Sequence, residues 1–263
     1  MFKKYILSLL LVLFSTFIAS AQWNTSHEIG ILTGPIVFKS DYGERGDMET
    51  NVGNSGHSIG FVHYLNFSSR ADNERFFSEH FKIRSEVSYA TTNFNHFGKW
   101  VDEGKPSIGK EQLKAMSGSS RIINLGVQAE FNFIKIHDFE NSIGTFGPYA
   151  SLGLTYSFYD TKASSTLGPL GLASTTFPKY LTPSDGRPHG FSTESKSVVS
   201  VVAGVGTRYK LGRMSDLLVD LRFQYFTSDW VDGLNPNKDI YKENKSNDWL
   251  VGFNIGYIHY LEF

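Results

Sequence analysis

The sequence predicts an all-β chain that closes into an eight-stranded antiparallel transmembrane β-barrel with long extracellular loops and short periplasmic turns. Three observations predict it. Apolar and polar residues alternate with a period of two in eight separate runs, the connections between those runs alternate long and short, and the composition joins abundant aromatics to abundant glycine. The 263 residues include 22 Phe, 13 Tyr and 25 Gly, with no cysteine. That last absence removes disulfide frameworks, cysteine metal sites and a lipoprotein anchor. A formal charge of −1 carries no nucleic-acid footprint.

The N-terminus reads as an export address. Lys3 and Lys4 precede an apolar run over 5–18 that ends on Ala19-Ser20-Ala21. A basic start, a short apolar middle and a small-x-small end form a signal peptide, 1–21, cleaved after Ala21, which leaves a barrel domain over 22–263. A membrane-anchoring helix is the competing reading, but it needs about 20 apolar residues and has no use for the small-x-small end.

The eight runs fall at 26–38, 55–68, 77–94, 118–134, 145–159, 196–211, 215–228 and 248–263. In the last, Trp249, Val251, Phe253, Ile255, Tyr257, His259, Leu261 and Phe263 share one large apolar face, opposite the smaller and mixed set Leu250, Gly252, Asn254, Gly256, Ile258, Tyr260 and Glu262. The seventh sets Leu217, Val219, Leu221, Phe223 and Tyr225 against Asp220, Arg222 and Gln224; the fourth sets Ile123, Leu125, Val127, Ala129, Phe131 and Phe133 against Asn124, Gln128, Glu130 and Asn132. In the third, Phe81, Ile83, Val87 and Tyr89 oppose Lys82, Arg84 and Glu86.

A soluble β-sandwich also alternates, with its apolar face inward. Four features favour the barrel. The polar faces carry glycines and isolated charges rather than a solvated lawn of Lys, Glu and Thr, which suits a confined lumen. Many runs exceed the usual five or six residues of a soluble strand. Connections 39–54, 95–117, 160–195 and 229–247 are long, whereas 69–76, 135–144 and 212–214 are short, the rhythm of an even-stranded barrel with both termini in the periplasm. Finally, the terminal aromatic Phe263 resembles the insertion signal read by barrel-insertion machinery. A sheet in hydrocarbon must close, because lipid offers no partner to an open edge.

With these phases the lumen holds Glu28, Glu86, Glu130, Asp220 and Glu262 against Lys82, Arg84, Arg208, Lys210 and Arg222. Balanced charges in so narrow an interior are expected to pair and plug it, leaving no open pore. On the outer face Trp23, Trp249, Tyr225, Tyr257, Tyr209 and Phe263 fall near strand ends, as in the aromatic girdles that contact lipid headgroups.

No catalytic, cofactor or metal site is predicted. A serine hydrolase needs a base within reach of its nucleophile; His57 and Ser58 are adjacent and so point to opposite faces, and His63 faces outward without a serine partner in its own run. The eight histidines are scattered, and neither acidic patch, 41–47 or 229–239, follows a calcium loop, so both read as solvated loop. Arg45-Gly46-Asp47 spells an adhesion tripeptide that is short enough to arise by chance. The loop over 160–195, with Pro169, Pro178, Pro183 and Pro188, is either a mobile surface loop or a docking surface.

The stretch His27-Glu28-Ile29-Gly30-x-x-x-Gly34, then Ser40-Asp41-Tyr42-Gly43 and Gly56-His57-Ser58-Ile59-Gly60-Phe61-Val62-His63-Tyr64-Leu65-Asn66-Phe67, resembles a family of small barrels from the Bacteroidota outer membrane. That family is similar to the barrel subunit of the type IX secretion system. The likeness centres on residues 26–67 and implies the fold, with either an accessory role in an outer-membrane secretion or assembly machine or a stand-alone barrel. It transfers no catalytic residue. The expectation is a non-enzymatic outer-membrane barrel whose partners are outer-membrane lipid, barrel-insertion machinery and other outer-membrane or periplasmic subunits. A lipid-modifying enzyme of the outer leaflet and a narrow solute channel are the alternatives.

Overall fold

The computed structural model describes residues 25–44, 47–67, 76–102, 104 and 106–261. The signal peptide, Trp23, Arg45, Gly46, Glu262 and Phe263 lie outside the described residues. Eight strands, β1 (Ser26–Lys39), β2 (Ser55–Asn66), β3 (Phe81–Asn95), β4 (Met116–Asn132), β5 (Phe146–Ser165), β6 (Glu194–Gly212), β7 (Ser215–Phe226) and β8 (Trp249–Leu261), form a closed barrel in sequence order. Every neighbouring pair is antiparallel, and β8 closes on β1 with His27 opposite Leu261 and Lys39 opposite Trp249.

Closure satisfies every strand edge, and the two-residue side-chain period then sorts the wall into two faces. Along β8 the residues Gly252, Asn254, Gly256 and Ile258 are buried, while Phe253, Ile255 and Tyr257 are exposed. The outward face is a continuous belt of Ile31, Phe61, Val127, Leu152, Leu154, Val205, Leu221 and Ile255, each 47–62% exposed. In water such a belt is costly, at roughly 1.5–3 kcal/mol per large side chain left unburied.

Among the described residues, six short helices occupy the connections: α1 (Met48–Val52), α2 (Phe76–His80), α3 (Lys99–Asp102), α4 (Ile108–Ala115), α5 (Ile136–Glu140) and α6 (Pro178–Leu181). Two have side-chain caps typical of helix starts. Asp47 accepts from the Glu49 amide at 2.9 Å to open α1, and Ser107 accepts from the Lys110 amide at 3.2 Å to open α4. The capping carboxylate of α1 is thus the last residue of the adhesion-like tripeptide.

Two strand boundaries differ from the sequence reading by more than two residues. The third run was expected to begin at 77, but 76–80 is helical, because its aromatics repeat at i and i+4: Phe77 stacks on Phe81 at 5.0 Å, and Phe76 meets His80 at 4.7 Å. The fifth run was expected to end at 159, yet β5 continues to Ser165, paired with Met116 and, through Thr161, with Glu194. Residues 160–165 show little apolar alternation since their outward side chains stand above the greasy belt.

Candidate functional site: a filled lumen and a carboxylate-lined mouth

The interior is stacked in four layers from the short-turn end to the long-loop end. The lowest is ionic. Lys82 Nζ and Arg208 Nη1 both donate to Glu28, each at 2.5 Å; Arg208 Nη2 donates to Glu130 at 2.9 Å; and Lys210 meets Asp216 at 3.2 Å. Just above, Arg84 bonds Glu86 at 2.8 Å and approaches Asp220 at 3.4 Å, while Arg222 bridges the same two acids, reaching Asp220 at 2.7 Å. Tyr64 lies between the two groups, with the Arg208 guanidinium 4.2 Å and that of Arg84 5.9 Å from its ring centre. Tyr149 and Tyr260 donate their hydroxyls to Asp220 and Asp216 at 3.1 and 2.7 Å.

Nine of the ten charges assigned to the lumen from sequence phase point inward and pair here; the tenth, Glu262, is outside the described residues. Asp216 was missed although it shares the parity of Asp220 and Arg222 along β7. It sits beside the turn, where apolar flanking signal is weakest. With it, the described lumen holds five acids and five bases, all at most 11% exposed.

The second layer is uncharged. Ser157 donates to Asn124 at 2.7 Å, Gln224 to Ser200 at 2.8 Å, and Ser58 to Asn254 at 3.0 Å. Small cavities lie between this layer and the ionic one, lined by Ser88, Asn124 and Gln224 together with Glu86 and Arg222. The third layer is aromatic: Phe38 stacks on Phe226 at 5.9 Å and meets Phe94 edge-on at 5.2 Å, with Tyr42, Met116, Tyr159, Tyr180 and Leu234 packed around them. Glycine on the inner wall makes room for bulky groups in both the aromatic and the ionic layer: a Cβ on Gly118 would collide with the Tyr42 hydroxyl, and one on Gly206 would sit 2.5 Å from the Tyr149 hydroxyl.

The fourth layer is the mouth, built from loops. Asp232 is fully buried and accepts from the amides of Asp41 at 2.6 Å and Leu234 at 2.7 Å. Asp248 Oδ2 accepts from the amides of Val231 and Asp232 at 2.9 and 3.1 Å. Tyr180, on α6, donates to the Asp41 carbonyl at 3.3 Å, and Arg187 lies 3.4 Å over the Trp230 ring. Burial, with Asp229 nearby, raises the Asp41 carboxyl to about 7, and burial pushes Asp232 and Asp248 well above the usual carboxylate range. His96, wedged against Tyr42 at 4.8 Å, is held down to about 3 by burial and then by Lys179.

This overturns the expectation that the patches 41–47 and 229–239 are simply solvated loop: Asp229 and Asp232 are buried beside Asp41. Neither patch alone carries a burial signal, because the environment arises only when β1 and β8 close the wall. Among the described residues, no group of three or more His, Asp or Glu side chains is placed to hold a metal ion.

On the outer wall His57 shares a hydrogen bond with Thr33 at 2.9 Å, while Ser58 faces the lumen. His63 pairs with His27 at 3.0 Å across β1 and β2. Trp249 packs on Phe223 at 5.1 Å and Tyr209 on Phe146 at 4.9 Å, at opposite ends of the belt.

No protein-family model and no curated protein matches the chain. Solved structures to which it is similar include Neisserial surface protein A, at 12% identity with a TM-score of 0.45, covering 89% of this chain and 97% of that one. A major outer membrane protein from Thermus thermophilus gives 13%, 0.46, 90% and 99% in the same order. Ail, the attachment invasion locus protein of Yersinia pestis, gives 12%, 0.42, 90% and 99%.

Proposed function

We propose that the chain is a non-enzymatic outer-membrane barrel, exported through its signal peptide, which serves as a structural or accessory subunit of an outer-membrane machine for secretion or barrel assembly. The observation that carries this reading is the pairing of an apolar outer belt with an interior filled from end to end. Such a wall suits lipid as solvent, and a lumen occupied by ion pairs and aromatic rings leaves outward surfaces and loops to do the work. The opposed faces of His57 and Ser58 supply no nucleophile with its base, which weighs against lipid hydrolysis. The family resemblance over 26–67 is in keeping with an accessory role in a secretion or assembly machine.

Purification from native membranes in mild detergent tests the reading. The expected outcome is a heat-modifiable band that co-purifies with other outer-membrane or periplasmic subunits in fixed ratio. A lone barrel whose deletion alters lipid A or phospholipid acyl patterns would replace it with the enzymatic alternative.

A further inference from the structure

Four carboxyl groups from two stretches of chain meet at the mouth. Asp41 comes from the β1–β2 loop; Asp229, Asp232 and Asp248 come from the β7–β8 loop and are 4%, 0% and 2% exposed. Cations around them are few or already engaged. Lys238 lies 3.7 Å from Asp229, Lys39 donates to Ser246 at 3.1 Å, Lys179 pairs with Glu243 at 3.3 Å, and Arg187 pairs with Glu194 at 2.6 Å. Asp185 accepts from Asn235 at 2.7 Å. Lys245 lines the same polar cavity as Asp41, Asp229, Glu243 and Asp248, and the rings of Tyr42, Tyr180 and His96 pack against one another nearby. One oxygen each of Asp41 and Asp229 is buried without a hydrogen bond.

We propose that these four carboxyls form a proton-dependent latch, which holds the β1–β2 and β7–β8 loops over the aromatic layer when protonated and loosens them by mutual repulsion as they ionise. The geometry favours a latch over a general loss of stability, because the cluster binds loop to loop while the strand ladders lie outside it.

The sign follows from proton counting. In the closed mouth these groups hold protons above the ordinary carboxyl range of about 4, Asp41 to about 7, whereas in an opened loop they titrate near 4. The closed state therefore binds more protons, so closure is strongest at low pH and weakens as pH rises through about 7 and beyond. Each such carboxyl steepens loop opening by up to about tenfold per pH unit.

Hydrogen–deuterium exchange on the full chain in detergent with EDTA, from about pH 5.5 to about pH 8.5, tests this after correction for intrinsic rates. Protection in peptides over 39–54 and 227–248 is expected to fall about tenfold or more, while β4 peptides stay protected. The double variant Asp232→Asn with Asp248→Asn, which keeps the one accepting oxygen of Asp248 and one of the two on Asp232, is expected to flatten the loop response. Should it fail to fold by heat-dependent gel mobility, Asp41→Asn provides the same comparison with a smaller change. Loop protection that is flat with pH, falls equally in the Asn variants, or falls together with the wall would overturn the latch. Loss of the membrane reading would show separately, as a freely dissolved protein without a heat-dependent shift.

Discussion

Arg208 and Glu28 are separated by 180 residues along the chain and by 2.5 Å inside the barrel. Arg208 also bonds Glu130 and lies 3.7 Å from Asp216, so one guanidinium neutralises acids from β1, β4 and β7. Removing it in Arg208→Ala leaves three buried carboxylates with only Lys82 and Lys210 to serve them. Breaking a buried pair from one side costs about 3–5 kcal/mol. The expected outcome is a clear downward shift in the temperature at which the folded band converts to the unfolded one on gels. An unchanged transition would mean that these acids are neutral or hydrated in the folded barrel.

Arg222→Ala provides a graded comparison. Arg222 is the most exposed of the ten lumen charges, and both of its acids, Glu86 and Asp220, keep Arg84 as a second partner. Its loss is expected to lower the same transition by less than the loss of Arg208. Equal effects would show that the two ionic groups are one cooperative unit, coupled through Tyr64, rather than two neighbours.

This ranking also shows what a sequence can and cannot convey. Parity along a strand assigned Arg84, Glu86, Asp220 and Arg222 to the lumen correctly, because a one-residue period flip would have put them in the apolar belt. Parity says nothing about height within the barrel, so which base meets which acid stayed hidden, as did the Tyr64 ring between them. The mouth was less legible still. Asp41, Asp229, Asp232 and Asp248 sit in loops without periodicity, and their burial depends on Tyr180 and Trp230 folding inward from connections that look solvated.

The closing seam has its own weak point at Gly34. An added Cβ would lie 1.9 Å from the Phe253 carbonyl oxygen, closer than any relaxed contact permits. Beside it, Pro35 has no amide to donate, and the β1–β8 register skips from Thr33–Ile255 to Ile36–Gly252. Gly34→Ala is therefore expected to part β1 from β8 and to abolish the heat-modifiable form. Gly186→Ala is the loop control: it has open space around it, so any strain comes from its positive φ of 75° alone, and the barrel band should survive.

Lipid contact can be read directly from paired arginine substitutions. Ile255 is 54% exposed on the outer wall between Thr33 and Val219, and Leu167 is 49% exposed in the β5–β6 loop. Near the middle of a bilayer an arginine costs about 2–4 kcal/mol, falling to about 0–1 near the interfaces. Ile255→Arg should reduce folding into phospholipid vesicles measurably, and Leu167→Arg should leave it unchanged. If both fold equally well, the belt is not facing hydrocarbon.

The same layers govern conduction. An eight-stranded interior is only wide enough for side chains, and here an ion must pass the ionic layer, the Asn124–Ser157–Gln224 network and the Phe38–Phe94–Phe226 stack in series. Opening any one of them leaves the others closed. Planar bilayers containing the intact protein are therefore expected to show no discrete conductance steps, and Arg208→Ala should add none, because the aromatic layer is untouched by that change. Steps in the intact protein would mean that the lumen is not filled as described. Steps confined to Arg208→Ala would identify the ionic layer as the sole barrier and the loop-covered mouth as already passable.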